Sequence, residues 1–274
     1  MLEHIIAASL LIFTALVVTH WSRIVKRARE VNAARAERAR GPWIQTRSGA
    51  RWYPFSPRPE DVRLEDLGAC AYVIRWGGHA GMVTVAEHQY RVAKLLAARG
   101  AGPMTQLLGL LHDAHEVYPP GDVCAPVFWG RGFLGRIVSR AIRWMSRRAE
   151  RAVRDRLRLP HEFPEAVRHA DMVLLSTEAH ARLPGGPRDW GATLPSPLPV
   201  APAWEPAYAE WRWWSLVRVL ADRVADEMTD DRCREAEAGR DSSRGWDTIA
   251  ALRELAVVAD REAVRCSRLA REAA

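Results

Sequence analysis

The first feature of the hydropathy pattern is a run of seventeen residues, Ile5 to Trp21 ("IIAASLLIFTALVVTHW"), without Asp, Glu, Lys or Arg. At about 1.5 Å per residue it is just long enough to cross a bilayer. Arg23, Lys26, Arg27, Arg29, Arg35, Arg38 and Arg40 follow it. The positive-inside rule then predicts a membrane anchor over 1–22 and a basic juxtamembrane segment over 23–42, with the bulk of the chain cytoplasmic. That flank suits anionic headgroups. No basic residue precedes the run and no small-residue cleavage site follows it, which favours an anchor over a removable leader. The competing reading is a hydrophobic helix that packs on the rest of the chain or on a partner.

Trp43–Thr46 and Ala50–Phe55 are β-prone and flank Ser48-Gly49, which predicts a hairpin. From Leu64 onward the apolar spacing is helical. It predicts helices near 65–74, 85–99, 104–118, 134–157, 164–183 and 205–228. The stretch 228–245 is polar and reads as a linker. A last helix near 246–272 carries Ile249, Leu252, Leu255 and Val258 on one stripe, suited to docking on the domain or to homo-oligomerisation. The fold expected is an all-α bundle over 43–227 with a short N-terminal β-hairpin, followed by the linker and the segment 246–274.

A chain of 274 residues with 48% hydrophobic content can form one substantial domain with extensions, or two small ones. Its net charge of +7 is carried almost wholly by arginine, since Lys26 and Lys94 are the only lysines. This reads as a compositional bias, and no specific nucleic-acid partner is expected. Cysteines 70, 124, 233 and 266 form no CxxC pair, which removes support for zinc ribbons and thioredoxin-type chemistry.

The stretch "GLLHDAHEVYPPGD", Gly109 to Asp122, holds two histidines, two aspartates and a glutamate directly after an apolar run. Such groups are costly to bury without a partner, and a metal ion supplies one. His88 stands on the preceding helical pattern and Asp171 on a later one, so the ordered set is His88, His112-Asp113, Asp171. These nitrogen and carboxylate donors suit Zn, Mn, Co or Fe, with Mg a further divalent candidate. Three helices of a bundle would have to converge to assemble them.

With these motifs the chain resembles the HD-domain metal-dependent phosphohydrolases, in particular the group of 5′-deoxynucleotidases and phage dATP triphosphohydrolases. The matching stretches are "TRSGARWYPFSPRPEDVRLEDLGACAYVIRWGGH", "VTVAEHQYRVAKLL", "GLLHDAHEVYPPGDV" and "ADMVLLSTEA", within about residues 43–183. The resemblance implies an HD-domain bundle and a nucleotide substrate, and makes His88, His112, Asp113 and Asp171 the ligands of a divalent metal. It implies that Glu116 is a general acid/base or positions water, and that Asp122 lies near the sugar and leaving group. Arg75 and Trp76 match an Arg-aromatic pair able to hold phosphate and to stack on a base or sugar. His79, in "GGHAG", is a further candidate phosphate contact. The sequence departs from the family in His115, where a small residue is usual, and in one extra residue between Glu116 and Asp122.

Two other functions compete. A signalling-nucleotide hydrolase is disfavoured because Glu116 is followed by Val117 rather than by an acid, and because no GYP signature is present. A membrane-tethered scaffold that keeps the fold without turnover is disfavoured by the intact ligand set. The tryptophans at 204, 211, 213 and 214 are expected to pack rather than to stack on bases.

Overall fold

The computed structural model describes residues 2–187, 190, 195–200, 202–238, 243 and 245–272; the side chains of 2–17, 125 and 272 lie outside that description. The chain divides into two compact units, Met1–Pro42 and Trp43–Ala274.

The first unit is one long helix, α1 (Leu2–Ala39). It runs unbroken through residue 22, so the expected anchor and basic segment share a single element. The expected anchor falls mostly on residues 1–17, whose side chains are outside the described residues. Among the described residues, no helix is long and apolar enough to cross a membrane.

The second unit is mostly helical, with one small sheet. Strands β1 (Ile44–Gln45) and β2 (Arg51–Trp52) pair antiparallel, Ile44 opposite Trp52. Gly49, at φ +83°, closes the turn between them. The hairpin is shorter than the β-prone stretches suggest, because Trp52 and Tyr53 turn into the core. Trp52 stacks on Tyr118 at 3.8 Å between ring centroids, which ties the hairpin to the segment after His112.

The helix expected near 65–74 is a 3-10 helix, Leu64–Tyr72. Five α-helices follow: α2 (Val85–Ala98), α3 (Pro103–Leu111), α4 (Gly132–Leu157), α5 (Glu165–Arg182) and α6 (Pro206–Glu237). The last is α7 (Trp246–Glu272). Two expectations need correction. The helix expected over 104–118 stops at Leu111, and Ala114–Val117 is a separate 3-10 turn. The expected linker 228–245 is helical as far as Glu237, held on its polar surface by the pairs Arg234–Asp231 and Arg232–Glu235. Residues 239–242 of that linker lie outside the described ones.

Helix α7 packs along α6, with Leu252, Leu255 and Ala259 fully buried against the core that holds Trp213, Trp214 and Leu220. The tryptophans at 213 and 214 are packing residues, edge to face at 4.8 Å. Gly109 lets α3 approach α2 closely: a Cβ there would come within 2.4 Å of Leu96 Cδ1 and 3.3 Å of Val92 Cγ1.

Candidate metal centre and its surroundings

Each element delivers one part of the site. Thr84 caps α2, its hydroxyl accepting from the Glu87 backbone N–H at 3.2 Å. One turn further in, the His88 ring is fully buried. On α3, His112 stands just past the last helical residue. Its Nδ1–H donates to the Gly109 carbonyl at 2.8 Å. Helix α5 supplies Asp171, about one-third exposed, and Glu178, buried two turns later.

His88, His112 and Asp171 each offer one donor atom, and these atoms lie within 4.8 Å of one another. Asp171 Oδ1 sits 3.0 Å from His88 Nε2 and 3.7 Å from His112 Nε2. Each Nδ1 is already engaged, His88's by Glu178 Oε1 at 2.7 Å and His112's by a carbonyl. That arrangement aims both Nε2 atoms inward, the usual way a protein orients imidazole ligands. The buried Nε2 of His112 has no well-aligned hydrogen bond. These donors fit a divalent cation.

Asp113 flanks this trio, its Oδ2 3.0 Å from His112 Nε2 and 3.7 Å from Arg75 Nη1. The structure brings three of the four expected ligands into one donor group and leaves Asp113 at its edge.

Arg75 and Trp76 sit on a short loop pinned to the start of α2 by Arg75 N–H to Val83 O and Val85 N–H to Val73 O. Arg75 is buried and donates Nε–H to Glu178 Oε2 at 3.0 Å. Its guanidinium is therefore committed to the protein, and its first role is to hold Glu178. Trp76 occupies the left-handed region at φ +61°, an unusual backbone conformation for a residue with a side chain. Two interactions hold it there: its N–H donates to Asp122 Oδ2 at 3.1 Å, and its indole N–H donates to Glu178 Oε2 at 3.2 Å. The indole lies beside Trp190, at 5.5 Å between centroids. Asp122 thus returns to the site, on a turn closed by Gly121 N–H to Tyr118 O. His79 does not join the group: its side chain is exposed and has no hydrogen bond or ion pair among the described residues.

Burial and neighbouring charge tune the set. Burial disfavours imidazolium at His88, as does Arg75, yet Glu178 and Asp171 outweigh them and its pKa is raised. At His112, burial is overcome by Asp113 and Asp171, and the pKa is well above the usual histidine value. Burial acts to raise Asp171, but its close contacts with His112 and His88 hold it well below the carboxylate range. Despite burial, His112 brings Asp113 down to about 2, and Arg75 with His88 brings Glu178 down to about 2. Glu116 is the exception. Burial, then Asp113 and Asp122, push its pKa well up, and its Oε2 is buried without a hydrogen bond. Asp122 is also raised, chiefly by burial.

Glu178 is the residue that sequence reasoning missed. It joins His88, Arg75 and Trp76. Its signal was present, an acid seven residues after Asp171 inside the otherwise weakly polar "VLLSTEA".

No family model matches the chain. The chain is similar to an uncharacterized protein, YfdR, of Escherichia coli (strain K12), with 27% identity over 138 residues, covering 50% of this chain and 70% of that protein.

Proposed function

We propose that this chain is a metal-dependent phosphohydrolase of HD-domain type whose substrate is a dNMP or dNTP. The observation that carries the reading is the convergence of His88 Nε2, His112 Nε2 and Asp171 Oδ1, with both outer nitrogens tied down. His88, His112 and Asp171, with Asp113 beside them, would hold a divalent metal, which would supply Lewis-acid polarisation of a phosphate ester and a lowered pKa for bound water.

The chain's own residues supply the rest. Glu116, whose carboxyl is pushed well up by burial and then by Asp113 and Asp122, is the proton carrier for the leaving oxygen. Arg75 spreads positive charge among Asp113, Glu116, Asp122 and Glu178 and so keeps four acids in one small volume. The half-buried face of Trp76, next to Trp190, offers a flat surface for a base or sugar. Asp122 fixes the Trp76 backbone and through it the ring. This reading does not depend on a membrane anchor at residues 1–22.

The test is turnover of a panel of dNMPs, dNTPs and ribonucleotides by the full chain with Mn²⁺, Co²⁺, Zn²⁺, Fe²⁺ or Mg²⁺, with Asp171→Ala alongside. Metal-dependent nucleoside release that the variant lacks supports the reading, and the leaving group, phosphate or triphosphate, fixes the reaction. Stoichiometric metal without turnover of any nucleotide refutes the substrate class.

A further inference from the structure

Between Asp122 and Glu150 the chain has no acidic residue and six arginines, at 131, 136, 140, 143, 147 and 148. All six are exposed, and none has a carboxylate partner among the described residues. The same segment exposes large apolar side chains: Trp129, Phe133, Leu134, Ile137, Val138 and Trp144, with Phe133 and Leu134 each 73% exposed.

The helical repeat sorts these residues into three sectors of α4, taking about 100° per residue. Ser139, Met145, Ser146 and Ala149 are half-buried or buried, and Ser139 is bonded to Gly130 N–H and Val127 O. Phe133, Leu134, Ile137, Val138, Ala141 and Trp144 fall on one exposed apolar arc. Arg136, Arg140, Arg143 and Arg147 fall on the arc beside it, while Arg148 lies within the apolar arc with its guanidinium over Trp144. A groove of about 330 Å³ runs through that arginine sector, past the edge of Trp144.

We propose that the N-terminal half of α4, with the preceding 3-10 turn Ala125–Trp129, is an interfacial helix that docks on an anionic lipid surface. Apolar side chains enter the acyl boundary while the flanking arginines meet headgroup phosphates. Charge decides the occupant. A second copy docking through the same face would bring together two sets of six arginines that have no carboxylate partner among the described residues. An acidic headgroup layer complements both halves of the surface. This helix does not cross the membrane, and the proposal is independent of residues 1–22 and of the reaction.

The sector of α4 turned away from this face packs beside the candidate site. Ser146 Oγ on α4 lies 3.4 Å from Nε2 of His115, on the 3-10 turn that carries Glu116.

The test places an environment-sensitive fluorophore on L134C in the full chain, with the exposed thiols removed by C124S and C233S. Vesicles of phosphatidylcholine are compared with vesicles that also contain phosphatidylglycerol. The expected result is a blue shift with the anionic vesicles only, quenched by lipids that carry a quencher in the acyl chain. A triple variant R136E/R140E/R147E, which changes only exposed side chains, should weaken that partition on the order of a hundredfold or more. Vesicle binding without a shift at position 134 would assign the membrane contact to another segment and overturn the proposal. A shift that follows protein concentration without lipid would make the face a self-association surface, which also overturns it. So would binding of soluble polyphosphate with no response to vesicles.

Discussion

Glu178 Oε1 lies 2.7 Å from His88 Nδ1, while the opposite nitrogen of the same ring faces Asp171 at 3.0 Å. Two acids on one face of α5 thus grip one buried imidazole from both ends. One sets the orientation of the ring and the other shares its inward-facing nitrogen.

If Glu178 orients His88, Glu178→Gln should keep the shape but weaken metal affinity by about 10- to 100-fold. Glu178→Ala should also unfold more readily, because it takes the nearest carboxylate from the buried Arg75 guanidinium, at a cost of up to about 3–5 kcal/mol. Competition titration with a metal-sensitive dye reads the first effect and thermal melting the second. Equal affinity in Glu178→Gln would show that the ring needs no such anchor.

Glu116→Gln should raise the melting temperature at neutral pH and remove turnover together. A carboxyl whose folded pKa is raised contributes stability that is complete below its unfolded value and is lost as pH rises through the folded one. Glutamine does not ionise, so the variant's advantage over the parent should grow across that window. Melting curves at a series of pH values check the sign; an advantage that shrinks as pH rises contradicts it.

Metal binding should displace protons. The acids that favour a cation also raise His88 and His112. Affinity should therefore fall as pH drops through those raised histidine values, and calorimetry in buffers of different ionisation enthalpy should report proton release. In metal-free protein the histidine contribution to stability is complete below the ordinary imidazole pKa and is lost as pH rises through the raised values. The contribution of Asp113 and Glu178 runs the other way: it is present above the ordinary carboxylate range and lost as pH falls towards about 2.

Helix α7 belongs to the core, so Leu252→Ala should cost about 2–5 kcal/mol, as for any fully buried leucine. Denaturant unfolding measures it. A cost near zero would mean that α7 is an appendage.

Much of this was legible in the sequence, and the rest was hidden for specific reasons. The apolar spacing of α2, α4 and α5 matched their positions within a few residues; α2 and α5 bury that stripe, while the N-terminal half of α4 leaves it exposed. The motif order His88, His112-Asp113, Asp171 named four ligands, three of which share the donor group while Asp113 stands at its edge. The break after Leu111 was not legible: no glycine or proline marks it, and the His112 ring that bonds back to the Gly109 carbonyl there leaves no mark in the apolar spacing. The extension of α6 to Glu237 was also hidden, since "TDDRCREAE" has no apolar stripe and is held by surface ion pairs that periodicity does not register. Arg75 matched the expected motif, but only the structure shows it committed to Glu178 and placed near Asp113.

On the proposed reading, His88, His112 and Asp171 hold one divalent metal ion. The most direct measurement is the metal content of the full chain by mass spectrometry after exposure to Mn²⁺, Zn²⁺, Co²⁺ or Fe²⁺ and removal of free ion. The same measurement is made on His112→Ala and Asp171→Ala variants with unchanged circular dichroism. One ion per chain in the parent and none in either variant is the predicted result. An empty parent, or variants that retain the ion, would contradict the account.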